Sequence, residues 1–180
     1  MPVREVIRMG DPRLNRKAAP VEELDTRALH DLVQDLWDTM EAYQGIGIAA
    51  PQIGVEQRVI VFGLEKSARY PEAEPVPRTV LVNPEYEVIG DEYEEIWDGC
   101  LSVPGLRGVI PRYVRIRYWG YSPAGELIER TAEHTHAMVV QHECDHLDGI
   151  LYPLRIRDLR QFGFEQELFG RSTDTRPDAT

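Results

Sequence analysis

The stretch Gln141-His142-Glu143-Cys144-Asp145-His146 constrains this chain more than any other. Side chains four residues apart lie one above the other on an α-helix, so a helix here puts both imidazoles on one face with Glu143 beside them. Two imidazoles aimed at one point form a metal-binding device, and the neighbouring acid is placed to move protons. The rest of the helix must then pack, and Ala137, Val139, Val140 and Leu147 supply apolar contacts for it. The helix is predicted to begin near Glu133 and to run past His146.

A catalytic tetrahedral site usually takes three protein ligands and leaves a fourth position open, so a third ligand is required. One known extension of the two-histidine signature adds a glycine and a further histidine. Here Gly149 fits, but Tyr152 stands where that histidine would be. Two other sources remain. Glu165 and Glu167 lie in the apolar-polar segment from Phe162 to Phe169, read as part of a later helix. Cys100 lies in Trp97-Asp98-Gly99-Cys100-Leu101-Ser102-Val103-Pro104-Gly105, after a strand and beside a glycine, where a side chain can project into a cleft. Free cysteine is more often a small core residue. Next to a two-histidine site it is the better candidate, because a thiolate binds divalent metals strongly.

The remaining pattern describes what must carry these residues. Between Thr26 and Tyr43, the apolar residues Leu29, Leu32, Val33, Leu36, Trp37 and Met40 recur at helical spacing, predicting a core helix that ends near Gly45. Strands are predicted at Arg58–Phe62, Thr79–Val82, Glu85–Ile89, Glu94–Trp97 and Tyr113–Trp119, with a Pro- and charge-rich surface loop from Glu65 to Arg78. Helix, strands and helix in that order give an α+β single domain, its antiparallel or mixed strands packed around a C-terminal helix that carries the two histidines. A chain of 180 residues supports one such domain, read as 1–170, with 171–180 as a polar, flexible tail.

Composition narrows the partners. No apolar run approaches the roughly 18–20 residues that cross a bilayer, and the first residues lack the pattern of a secretory signal. A membrane partner is therefore not expected, and the cytoplasm is the default location. The formal net charge of −11 argues against broad adhesion to DNA or RNA. The cysteines, Cys100 and Cys144, do not suggest a disulfide framework in a reducing compartment. In Gly45-Ile46-Gly47-Ile48-Ala49-Ala50-Pro51-Gln52, small residues permit close packing, and the Gln52 amide is able to donate to a developing oxyanion. The segment lacks the Gly-Lys-Ser/Thr ending of a phosphate-binding loop, so nothing supports a nucleotide site.

Taken together, Gly45–Gln52, Gly99-Cys100-Leu101-Ser102 and Gln141–Leu147 resemble the three ordered signature motifs of the peptide deformylases. The likeness runs from about Ile7, through Met9-Gly10-Asp11-Pro12-Arg13-Leu14, to about Phe164. It implies a metal held by Cys100, His142 and His146, with Glu143 as general acid and base. Gln52 and the Leu101 backbone N–H would stabilise the oxyanion, and Gly45, Ile46, Gly47, Met138 and Val139 would line the methionine pocket. It also implies ferrous iron ahead of zinc, nickel or cobalt, whereas a tetrahedral Cys-His-His set alone points to zinc. The implied substrates are N-formyl-methionyl nascent polypeptides in a bacterial cytoplasm, met in transient contact with the ribosome. The basic stretch Arg155–Arg160 is a candidate for RNA contact, though a solvated helix face is the simpler reading. Two residues depart from the family pattern: Asp98 stands for the usual glutamate, with Arg112 as its expected partner, and Met138 stands where many relatives carry arginine.

Overall fold

The computed structural model describes residues 3–65 and 74–170. Helix α1 (Arg27–Ala42) starts where Thr26 caps it, its hydroxyl accepting from the Leu29 N–H at 3.2 Å. The predicted apolar stripe, apart from the half-buried Val33, lies on its buried face. The helix closes at Gln44, in the left-handed region at φ 55°, and the Gly45 N–H then donates to the Met40 carbonyl at 2.9 Å.

Strand β1 (Gly47–Ala49) and a 3-10 turn at Ala50–Ile53 follow, then β2 (Val59–Leu64), β3 (Val76–Val88), β4 (Tyr93–Cys100), β5 (Val103–Tyr113), β6 (Arg115–Tyr121) and β7 (Leu127–Glu133). Strand β7 passes directly into α2 (His134–Leu147), and β8 (Phe162–Phe164) and the one-turn α3 (Glu165–Leu168) end the described chain. The strands form a five-stranded sheet in the order β1-β2-β3-β6-β7 and a three-stranded sheet in the order β4-β5-β8. Every pairing between named strands is antiparallel; among the described residues, parallel geometry occurs in the isolated Ala19–Gln57 bridge.

Strand β2 is covered on both faces of the large sheet, which is why Val59-Ile60-Val61-Phe62 reads as an unbroken apolar run. Val59 and Val61 pack with Leu29, Leu32, Leu36 and Trp37 of α1. Ile60 and Phe62 point the other way and pack with Ala137, Val140, Cys144 and Leu147 of α2. Helix α2 therefore lies between the large sheet and β5 of the small one. A third cluster, Leu14, Val103, Ile110, Leu151 and Tyr152, holds the small sheet against the chain that follows α2.

Several predicted boundaries shift. The two strands expected around Asn83-Pro84 are one strand, β3, carrying a register shift between Val82 and Glu85. Asn83 takes φ 52° there, and its side chain accepts from the Val21 N–H at 2.8 Å and donates to the Val21 carbonyl at 2.9 Å. The apparent break is thus a bulge fastened to the N-terminal segment. Val76–Arg78, expected in the surface loop, belong to β3, while residues 66–73 of that loop and the expected tail at 171–180 lie outside the described residues. The strand expected at Tyr113–Trp119 is divided, with Tyr113 ending β5 and β6 starting at Arg115. The rest of β5, Val103 to Arg112, was not expected, because Pro104, Gly105, Gly108 and Pro111 interrupt it. The basic stretch from Arg155 is not a helix face; it spans two 3-10 turns, Tyr152–Arg155 and Leu159–Gln161.

Candidate metal centre

Cys100 is the last residue of β4, next to a register shift between Asp98 and Cys100, and His142 and His146 stand one turn apart on α2. The packing of α2 between the sheets brings these elements together, and one ligand atom from each residue lies within 4.8 Å of the others. The Cys100 Sγ is 3.2 Å from the His146 Nε2. The His142 Nδ1 is 2.9 Å from an Asp98 oxygen, which leaves its Nε2 for the centre. A thiol and two imidazoles so disposed fit a divalent ion with bonds of about 2.0–2.3 Å. Glu165 is elsewhere engaged, accepting from Arg107 at 3.2 Å, and Glu167 is exposed on α3.

Glu143 lies between the two histidines in sequence and is 3% exposed. Its Oε2 is buried with no hydrogen-bond partner among the described residues. Burial pushes its carboxyl up to about 7. Gly47 makes room for it, since a Cβ on Gly47 would overlap the Glu143 carboxylate. Gln52, on the 3-10 turn after β1, has its amide fixed by the Ala49 N–H, which donates to its Oε1 at 2.8 Å. The amide nitrogen then faces the Ser102 Oγ at 3.2 Å and the Cys100 Sγ at 3.5 Å. The Ser102 backbone N–H also donates to the Cys100 Sγ at 3.3 Å.

Behind the histidines is a chain of buried charge. Arg112, 2% exposed, donates to Asp98 at 3.1 Å and to Asp145 at 2.6 Å, and Arg155 donates to Asp145 at 2.6 Å. Burial alone would raise the Asp98 carboxyl, but His142 and Arg112 hold it well below the usual range. Burial likewise opposes charge on His142, yet Asp98 raises its affinity for a proton. His146, buried and facing His142 and Arg112, is shifted down. The Asp98–Arg112 pair was expected. Asp145 and Ser102 stand inside the motifs and Arg155 in the basic stretch, but none was given these contacts, because Arg112, Arg155 and Gln52 reach them only in the folded chain.

A cleft of about 510 Å³ opens over this centre. Gly45, Ile46, Gly47, Gln52, Cys100, Leu101, Met138, Val139, His142 and Glu143 all line it, and His146 lies behind them at 1% exposure. Gly45 is pressed against Leu101, whose Cδ1 would be 3.0 Å from a Cβ there. The glycine at 149 serves the helix rather than a third histidine: it takes φ +74° just past α2, with a Cβ there falling 2.7 Å from the Asn15 carbonyl. Tyr152 is buried with its hydroxyl unpartnered among the described residues. Cys144 faces the apolar cluster on the other side of α2, and burial raises its thiol far above the usual range.

Fold and cluster define a class: an α+β domain in which a thiol and two imidazoles meet at the floor of a cleft, able to hold a metal ion. The profile of the family described as polypeptide deformylase matches residues 3–162. The chain is 59% identical over 167 residues to a peptide deformylase of Bordetella pertussis, covering 93% of this chain and 95% of that protein. It is 55% identical over 167 residues to one of Ralstonia nicotianae, covering 93% and 94%. The crystal structure of a class I type b peptide deformylase from Acinetobacter baumannii with Met-Ala-Ser bound superposes with a TM-score of 0.83 at 38% identity, covering 86% of this chain and 99% of that one. The chain belongs to the peptide deformylase family. It is a hydrolase that removes the N-formyl group from nascent peptides. Among the described residues, no helix is long and apolar enough to cross a membrane.

Proposed function

We propose that deformylation takes place at the cluster of Cys100, His142 and His146, with Glu143 moving the proton, within a single catalytic domain spanning 1–170. The observation that carries this reading is the convergence of the three donor atoms within 4.8 Å, beside a buried carboxylate at the floor of the cleft. When bound, a divalent ion supplies Lewis acidity, polarising the formyl carbonyl and making water easier to deprotonate. The resemblance favours ferrous iron, with zinc, nickel or cobalt as substitutes.

The chain's own residues do the rest. Asp98 holds His142 in the tautomer that leaves Nε2 free, and Arg112 holds Asp98. Glu143 accepts a proton from the attacking water and passes it to the departing amine, so formate leaves and a free methionine N-terminus remains. The Gln52 amide and the Leu101 backbone N–H stabilise the oxyanion that develops between those steps. Gly45, Ile46, Gly47, Met138 and Val139 enclose the methionine side chain. Substrates of this kind emerge at the ribosome, so the enzyme meets them there, transiently, in the bacterial cytoplasm.

The test is Cys100→Ser. The account expects loss of bound metal and of formate release from a formyl-methionyl peptide. If the variant keeps its metal and the protein cleaves internal peptide bonds, a two-histidine peptidase with a carboxylate ligand is the better description.

A further inference from the structure

The buried charge behind the histidines runs between two cavities. Asp98 and His142 line the cleft, while Arg112 and Arg155 line a second cavity of about 470 Å³ that shares no lining residue with it. This cavity lies where the end of β3, the turn into β4, the end of β5, α2 and the chain after α2 meet. Arg157 lines it too, so two arginines of the basic stretch Arg155–Arg160 belong to a recess, and Arg160 is held by Asp158 at 2.8 Å. The polar groups of the recess differ in how far they are satisfied. Gln141 is complete, its amide donating to the Tyr113 and Ala137 carbonyls and its Oε1 accepting from the Tyr113 N–H. Arg112 is shared between Asp98 and Asp145, and its buried Nε has no partner among the described residues. Arg155 grips Asp145 through Nε and Nη2, which leaves its Nη1 donors uncommitted. Arg157 is exposed, 3.8 Å from Glu95, and spends one donor on the Tyr93 hydroxyl at 3.4 Å. The Tyr86 hydroxyl has no hydrogen-bond partner among the described residues, and burial beside Asp145 pushes its pKa up, so it stays an O–H donor. Asp91 is the carboxylate of the lining.

We propose that this second cavity binds a phosphate-sized oxyanion, free or carried on a small organic molecule, through Arg155, Arg157 and the Tyr86 hydroxyl. Asp145 already fixes the Arg155 guanidinium, so its remaining donors meet an oxyanion at little cost in ordering. Asp98 and Asp145 offset the charge of Arg112 and Arg155, so the recess offers unused donors and not a strong positive field. Affinity is therefore weak, with Kd of about 0.1–10 mM. A recess of this size suits a small ligand. An RNA backbone needs a broad basic surface, which a chain of formal charge −11 does not readily present. The site is separate from the deformylation chemistry and does not depend on it.

The experiment titrates zinc-loaded protein with inorganic phosphate and with phenyl phosphate, followed by phosphorus NMR line width at low ionic strength. Each titration is run with the cleft open and with it filled by the tripeptide Met-Ala-Ser, which keeps phosphate off the metal. Saturable broadening is expected to persist with the cleft filled. Arg157→Glu should weaken it about ten-fold or more and Tyr86→Phe about three- to ten-fold, with the circular dichroism of both variants unchanged. Tighter binding of phenyl phosphate than of inorganic phosphate identifies an organic phosphate as the ligand, and equal binding identifies the free anion. Absence of saturable binding overturns the proposal, as does binding that disappears when the cleft is filled or that survives intact in both variants. An oligoribonucleotide that binds through Arg157 while neither phosphate does would also overturn it, returning the basic stretch to RNA contact.

Discussion

Helices α1 and α2 cover opposite faces of the five-stranded sheet, and different forces hold them there. The buried face of α1 is an aliphatic and aromatic stripe, Leu29, Leu32, Leu36, Trp37 and Met40, seated on Val59 and Val61. Its buried polar exceptions, Asp35 and Thr39, bind the N-terminal segment through Arg4, whose side chain donates to Asp35 at 2.8 Å and whose backbone donates to Thr39 at 3.0 Å. Helix α2 buries apolar residues towards the large sheet, but it also buries Gln141, Glu143, Asp145 and His146. The backbone of Tyr113 answers Gln141, and Arg112 and Arg155 answer Asp145. The groups left unanswered among the described residues, Glu143 Oε2 and His146 Nδ1, lie at the candidate centre. One helix is placed by area removed from water, the other by apolar area and matched charge together, and the candidate centre is built into the second.

That contrast can be broken at several points. The largest loss of stability is expected from Arg112→Ala, which leaves Asp98 and Asp145 buried without their shared cation. About 3–5 kcal/mol of unfolding free energy should go in a denaturant titration, together with faster loss of metal. An unchanged midpoint would mean the buried charges are satisfied by other means. Leu36→Ala, in the middle of the α1 stripe and fully buried, should cost about 2–5 kcal/mol while kcat per folded molecule stays the same. A fall in kcat without a fall in stability would show that α1 shapes the site as well as the core.

Asp11→Asn sets the scale for a surface pair outside both helices. Asp11 accepts from the Arg13 side chain at 2.6 Å and from its backbone N–H at 2.9 Å, contacts that hold its carboxyl down at about 2 against an ordinary 3.8. A depressed carboxylate contributes its stability above its unfolded value and loses it as pH falls through the folded one. The wild type should therefore lose slightly more stability than the variant between about pH 4 and pH 2, read as the shift in urea midpoint across that window. Equal shifts in the two proteins would show that the pair contributes nothing to folding.

The same contrast explains what could be read in the sequence. Helix α1 was legible to within about three residues, ending at Ala42 where Gly45 was expected, because a stripe at helical spacing needs no knowledge of the rest of the chain. Cys100, His142, Glu143 and His146 were legible from residue types and spacing, and Gln52 gained weight once three segments were taken together. Strand β5 was hidden because Pro104, Gly105 and Pro111 argue locally for a loop, while pairing with β4 along Ile96–Ile110 and Trp97–Val109 overrides them. Asp145 was hidden because its partners, Arg112 and Arg155, come from a hairpin and a turn that only the folded chain brings to it.

The central claim is that Glu143 moves the proton beside a metal held by Cys100, His142 and His146. Its most direct test is formate release from a formyl-methionyl peptide by anaerobically purified protein, with bound metal quantified in the same samples and Glu143→Ala measured alongside. The account expects metal-dependent release in the wild type and, in the variant, the same metal content with turnover reduced by orders of magnitude. Turnover near the wild-type rate in a fully metallated Glu143→Ala protein would contradict it.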